Sequence, residues 1–328
     1  MPDCSSLIVS EETGDYIIEY NSLYFEQIQR QDGVCISCIN DTWCILYTNY
    51  PGSRNINIQQ GYYSVPKLYG LMDTTSFDAS GITATLNQPL LNVRGQGVLI
   101  GFLDTGIDYL REDFKASGGR TRIAAVWDQT IQSVNYEEDT GEAAGTEQYD
   151  REQVQGMVQY GTVYTREDIN AALAAEREGQ NPYDIVPSRD ENGHGTFLAS
   201  IAAGNRDERA EFSGAAPQAS IAMVKLKPAK QYLRDFYLIQ DGADAYQEND
   251  IMMGVSYLYF LARKYSMPLV VCIPLGTNMG SHMGMSRLGQ YLNQVSLSNG
   301  SAVITAAGNE TGARHHFRAV MDADTDEV

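Results

Sequence analysis

Asp104, in the stretch FLDTGID, and His194, in ENGHGTFLASIAAGN, are residue types that move or orient protons. Asp-Thr-Gly after an apolar run serves two chemistries. With a second such tripeptide, two carboxylates about 3 Å apart can share one proton. With an imidazole, a single carboxylate orients a general base. A second Asp-Thr-Gly does occur, at Asp139-Thr140-Gly141. It follows Glu137 and Glu138 in VNYEEDTGEAAG, with no apolar strand on either side, and reads as a solvated acidic turn. The imidazole of the other chemistry is offered by His194, between Gly193 and Gly195 at the start of a small-residue helical pattern, although a histidine beside glycine is often structural. Asn309, beyond Gly308 at the end of VITAAGNE, offers a neutral amide donor for a developing oxyanion, a group whose removal costs about 10²–10³ in rate. Turn capping is its plainer use. The order Asp, His, Asn is more specific than any one member.

These residues need elements that deliver them to one place. GQGVLIGFL, ASIAMVKL, PLVVCIPLG and SAVITAAGN are continuous apolar runs of the kind buried on both faces of a parallel sheet. Between them lie helical patterns: HGTFLASIAAGN, ENDIMMGVSYLYFLARKYS and SRLGQYLNQVSLSNG. Strand alternating with helix predicts βαβ units and a parallel sheet flanked by helices. Functional residues of such sheets gather at the carboxyl ends of the strands, where Asp104, Pro274 to Gly276 and Asn309 all fall. Gly95, Gly97 and Gly101 lie before and inside their strand rather than after it, which rejects a dinucleotide fingerprint.

Residues 1 to about 70 read as a small α/β unit, with strands at DYIIEY, VCISCI and WCILYTNYP and a short helix at SLYFEQIQRQDG. GYYSVPKLYGLMDTTSFDASGI has no sustained period and reads as a linker. The acidic segment about 129–187 reads as a surface insertion carrying a helix at TREDINAALAAEREG.

The 328 residues, 43% hydrophobic, can bury a large core. Lys+Arg number 23 against 42 Asp+Glu, a formal net charge of −19, so nucleic acid and anionic membrane surfaces are not expected partners. The N-terminus lacks the basic and apolar regions of a signal peptide, and no long apolar span follows. Cys4, Cys35, Cys38, Cys44 and Cys272 are odd in number and irregular in spacing, which predicts free thiols rather than a disulfide framework. A Cys-x-x-Cys metal or redox site is the less favoured reading. No cofactor or metal is expected, since His315-His316 has no carboxylate at ligand spacing.

Together VLIGFLDTGID, NGHGTFLASIAAG, PLG after an apolar run, and VITAAGNE resemble the subtilases, subtilisin-like serine proteases with Asp, His and Ser in that order. The resemblance runs from Gly95 to about Thr311. RIAAVWDQTI, YGTVYTREDINAAL, GTNMGSHMG and GNETGARHHF look like the germination-protease group of spore-forming clostridia and their gut relatives. The resemblance implies an α/β fold: a subtilisin-like parallel sheet flanked by helices, incomplete in this chain, preceded by a small α/β prodomain. Residues 1–72 would be prodomain-like and 73–328 the N-terminal part of the catalytic domain.

By the same resemblance, Asp104 accepts the Nδ1–H of His194, His194 is the general base toward a serine, and Asn309 is half of an oxyanion hole. Pro274, Leu275 and Gly276 match the substrate strand that pairs with an extended peptide. Pro274 stands where the family usually has serine; it keeps a carbonyl acceptor but has no N–H. After Asn309 the hydroxyl side chains are Thr311 and Thr325, with no serine. A longer parent, whose serine lies beyond Val328, is therefore expected, and this fragment alone is expected to be inactive. The implied partners are a peptide or protein substrate and the chain's own prodomain tail, about Gly61 to Asp73, lying in the cleft as a product-like strand. The implied reaction is peptide-bond hydrolysis, with a spore-germination zymogen as the family context and a cytoplasmic or spore-associated location. The alternative is a pseudoprotease that binds a partner in the same cleft.

Overall fold

The computed structural model describes residues 4–21, 33–49, 64–71, 93–132, 154–206, 212–280 and 283–308. The expected helix at SLYFEQIQRQDG, the second Asp-Thr-Gly at Asp139, Asn309 and His315-His316 lie outside the described residues. The N-terminal unit begins with α1 (Ser5–Ile8), followed by β1 (Thr13–Glu19), β2 (Val34–Cys38) and β3 (Trp43–Asn49). The strands pair antiparallel in the order β1-β3-β2. The hairpin between β2 and β3 closes through Asn40, whose Oδ1 accepts from Thr42 N at 2.8 Å and Trp43 N at 2.7 Å, an Asx turn.

The expectation of free thiols in this unit is wrong. Cys4 is bonded to Cys35 and Cys38 to Cys44, leaving Cys272 as the free cysteine among the described residues. Cys38 and Cys44 are cross-strand partners in the β2–β3 register. The Cα atoms of Cys4 and Cys35 lie 5.6 Å apart, within the reach of a disulfide. Irregular spacing along the chain says nothing about such juxtapositions, because strand register creates them.

β4 (Leu68–Leu71) follows, and with it part of the expected linker becomes a strand. The remaining strands and α-helices among the described residues are β5 (Leu99–Asp104), β6 (Ile123–Asp128), β7 (Thr162–Thr165), α2 (Arg166–Arg177), α3 (His194–Ala203), β8 (Ser220–Lys225), α4 (Gln231–Phe236), β9 (Tyr246–Gln247), α5 (Glu248–Lys264), β10 (Leu269–Ile273), β11 (Leu275–Gly276), α6 (Arg287–Ser296) and β12 (Ser301–Thr305). The large sheet runs β12-β10-β5-β8-β6-β7, parallel except for the antiparallel pair β6–β7.

β5 is buried along its whole length, and its alternation sorts the two faces. Leu99 and Leu103 join the core built with Val255 and Leu258 of α5. Ile100 and Phe102 join the opposite core, with Ala199 and Ala203 of α3. At Gly101 a Cβ would meet Leu258 Cδ1 at 2.6 Å, so α5 packs directly on the strand backbone. Asp104 shares the parity of Ile100 and Phe102 and so belongs to the face covered by α3, the helix that begins with His194.

Part of the expected surface insertion is core instead. β7 is the edge strand beside β6, and α2 buries Ile169, Ala172 and Leu173 against the α3 face. Thr165 and Asp168 form a reciprocal capping box at the start of α2. TVYT is too short to show a period in sequence, so its place in the sheet depends on the partner β6. Among the described residues no helix is long and apolar enough to cross a membrane.

Candidate active site

Asp104 closes β5 and is wholly buried; His194 opens α3, 90 residues later, with 15% of its side chain exposed. His194 Nδ1 donates to Asp104 Oδ1 at 2.8 Å and Oδ2 at 3.0 Å. This engagement leaves proton-accepting chemistry to Nε2. Thr105 N also donates to Asp104 Oδ1, at 2.7 Å.

Position follows from how the exposed N–H groups at the start of α3 are satisfied. Gly193, the N-cap, adopts a left-handed φ of 86° and has no side chain to offer. Its capping work is done from outside. Asn192 Oδ1 accepts from His194 N at 3.3 Å, Thr105 Oγ1 from Gly195 N at 3.0 Å, and Asp190 Oδ2 from Thr196 N at 2.8 Å. Thr105 in turn donates its hydroxyl to Asp190 Oδ1 at 2.7 Å, and Thr196 donates its own to Asp190 Oδ2 at 2.6 Å. Asp190 therefore ties the loop after Asp104 to the first turn carrying His194. Burial works to raise the Asp190 carboxyl, but the hydrogen bonds from Thr196, Thr105 and Gly193 outweigh it and hold it below the usual aspartate range. At Gly195 a Cβ would collide with the Gly106 carbonyl oxygen and approach Asp104 Cβ at 3.0 Å, so only glycine lets the two segments come this close. Behind the pair, burial and the nearby Asp104 push the Cys272 thiol up to about 12, which keeps it a neutral packing group.

Beside this pair lies a small sheet in the order β11-β4-β9. Pro274 separates β10 from β11, whose Leu275 and Gly276 run antiparallel to β4, with Leu275 opposite Leu71 and Gly276 opposite Gly70. On its other edge β4 pairs with β9, Leu68 opposite Gln247 and Tyr69 opposite Tyr246. A segment of the N-terminal part thus occupies the centre of a sheet whose two edges come from the main domain. The sequence reading singled out Leu275 and Gly276 but missed Tyr246 and Gln247, a two-residue strand without a legible pattern. It also missed Asp190, whose spacing to Gly193 and Thr196 in RDENGHGT is a capping signal.

Gln247 links β9 to a buried polar network. Its Oε1 accepts from Lys230 N at 2.6 Å, and its Nε2 donates to Asp15 Oδ2 at 3.1 Å. Asp15, on β1, also accepts from Lys230 Nζ at 2.5 Å and Asn249 Nδ2 at 3.1 Å. Burial pushes the Asp15 carboxyl up, against the opposing pull of Lys230 and Lys227.

Of the residues proposed from sequence, Asp104 and His194 meet directly, Leu275 and Gly276 pair with an extended strand just after Pro274, and Asn309 follows the last described residue, Gly308. The Subtilase family (Peptidase_S8) model matches residues 95–325. Subtilisin-like protease SBT3.5 of Arabidopsis thaliana is 31% identical over 200 residues, covering 57% of this chain and 22% of that protein. Among solved structures, the CspB protease of Clostridium perfringens is similar at 33% identity with a TM-score of 0.54, covering 72% of this chain and 41% of that one. The chain thus spans less than half the length of either relative. The family match takes in β5, α3 and every later strand of the large sheet: the chain belongs to the subtilase family, whose subtilisin-like fold it carries and whose chemistry is serine proteolysis.

Proposed function

We propose that the full-length protein is a serine endopeptidase in which Asp104 and His194 are completed by a serine outside this chain. The observation that carries the reading is the contact of His194 Nδ1 with both oxygens of the buried Asp104 carboxylate. In that role Asp104 fixes the tautomer of His194 and stabilises its imidazolium. His194 Nε2 takes the proton from the serine hydroxyl as the serine oxygen attacks the scissile carbonyl carbon, then returns it to the leaving amine. Asn309 donates its side-chain amide to the oxyanion. The peptide lies as the central strand between β11 and β9, the seat that β4 occupies, and pairs by backbone hydrogen bonds. Pro274 contributes a carbonyl there and no donor.

The same seat supports a prodomain role for the N-terminal unit, with its tail held in the cleft like a product. The likeness of RIAAVWDQTI and GNETGARHHF to the germination-protease group extends the proposal to a spore-germination zymogen as substrate. The test is labelling of the full-length protein with a fluorophosphonate probe. Labelling is expected, together with self-cleavage near residue 70, and His194→Ala is expected to abolish both. Failure of the wild-type protein to label would favour the non-catalytic binding role, and labelling that survives in the variant would sink the assignment of His194.

A further inference from the structure

The β4 strand is held in the cleft by more than backbone pairing. Glu248, the first residue of α5, is wholly buried and reaches two elements. Its Oε2 accepts from Lys67 N at 3.1 Å, and its Oε1 accepts from Leu288 N, in the first turn of α6, at 2.9 Å. Glu248 N donates in return to Lys67 O at 2.8 Å. The Lys67 ammonium lies 3.9 Å from Glu248 Oε2, with 7% of its side chain exposed. The stem is enclosed, since a Cβ at Gly280 would lie 3.6 Å from Lys67 Cε. Tyr69 shares the parity of Lys67 and feels the charge of Glu248. Leu68, of opposite parity, joins the apolar cluster of Leu233 and Ala245.

Were β4 to leave, Glu248 would keep Leu288 N but lose both the Lys67 N–H and the only ammonium paired with it among the described residues. Any incoming peptide strand restores the N–H. Only a basic side chain restores the countercharge that a buried carboxylate requires. We propose that Glu248 is a specificity residue of the cleft, selecting a peptide with lysine or arginine at the position Lys67 occupies. This rests on the reading that β4 stands where substrate binds.

The test uses the full-length, self-processed protein and two fluorogenic peptides built on the sequence SVPKLYGL, one unchanged and one with glutamine in place of its lysine. The lysine peptide is expected to be cleaved with a kcat/KM about tenfold higher, expressed mainly in KM, as for a hydrogen-bonded or paired charge in a buried setting. The preference is expected to vanish in Glu248→Gln. Equal kcat/KM for both peptides in the wild-type enzyme would overturn the proposal and leave Glu248 as an anchor for α6, whether or not the variant folds. Cleavage of neither peptide, by protein that labels with the fluorophosphonate probe, would overturn the placement of substrate between β11 and β9 and this proposal with it.

Discussion

Asp190, beside the Asp104–His194 pair, and Asp15, under the N-terminal sheet, each collect hydrogen bonds from several elements, yet their carboxyls shift in opposite directions. Asp190 is half-buried and is surrounded by neutral donors: two hydroxyls and two backbone N–H groups. These dipoles are fixed by a helix start and favour the charged form. Asp15 is wholly buried, and its principal partner, Lys230, is itself an ion that must be desolvated. The site is thus held by dipoles already in place, whereas the N-terminal unit is joined to the main domain by a buried charge pair. A pair of that kind specifies one docking geometry more than it adds stability.

Three variants probe this contrast. Asp15→Ala leaves Lys230 buried without its carboxylate, and a loss of about 3–5 kcal/mol is expected in urea unfolding. A loss below about 1 kcal/mol would show that Lys230 finds other compensation. Asp190→Ala removes the acceptor for four donors, and a smaller loss of about 2 kcal/mol is expected, because the exposed face of the site admits water. The pH dependences of the two variants should also diverge. The folded pKa of Asp190 is lowered, so its contribution is present above the ordinary value of 3.8 and lost as pH falls through the lower folded value. Asp190→Ala therefore flattens the acid limb of the stability curve. The folded pKa of Asp15 is raised, so its contribution is full below 3.8 and declines as pH rises through the raised value. Asp15→Ala removes that decline, and parallel curves for wild type and variant across the range would break the contrast. The smallest effect belongs to the rim of the same interface, where Arg287 Nη1 meets Glu19 Oε1 at 2.8 Å with Glu19 66% exposed. Glu19→Ala should cost below about 1 kcal/mol and lose what effect it has in high salt.

Much of the main domain was readable along the chain. Apolar runs marked β5, β8, β10 and β12, helical periods marked α3, α5 and α6, and the small residues around Asp104 and His194 marked the places where backbones approach. β7 and β9 escaped because strands this short show no period, and their existence depends on the partners β6 and β4. The disulfides escaped for a related reason: Cys38 faces Cys44 through hairpin register, and Cys4 meets Cys35 through the packing of α1. The capping role of Asp190 was written locally in RDENGHGT, but its bond to Thr105 joins residues 85 apart.

Local chemistry thus nominates the candidate residues: an aspartate ending a doubly buried strand, an imidazole opening a helix between glycines, and a Leu-Gly strand after Pro274. Each of those choices rests on side-chain type, backbone freedom and hydrophobic period, which the chain carries in its order. That β4 sits between β11 and β9, that Glu248 meets Lys67, and that Asp15 meets Lys230 are long-range pairings of buried groups. No period announces them, because a desolvated polar group selects its partner only when the packed fold excludes water.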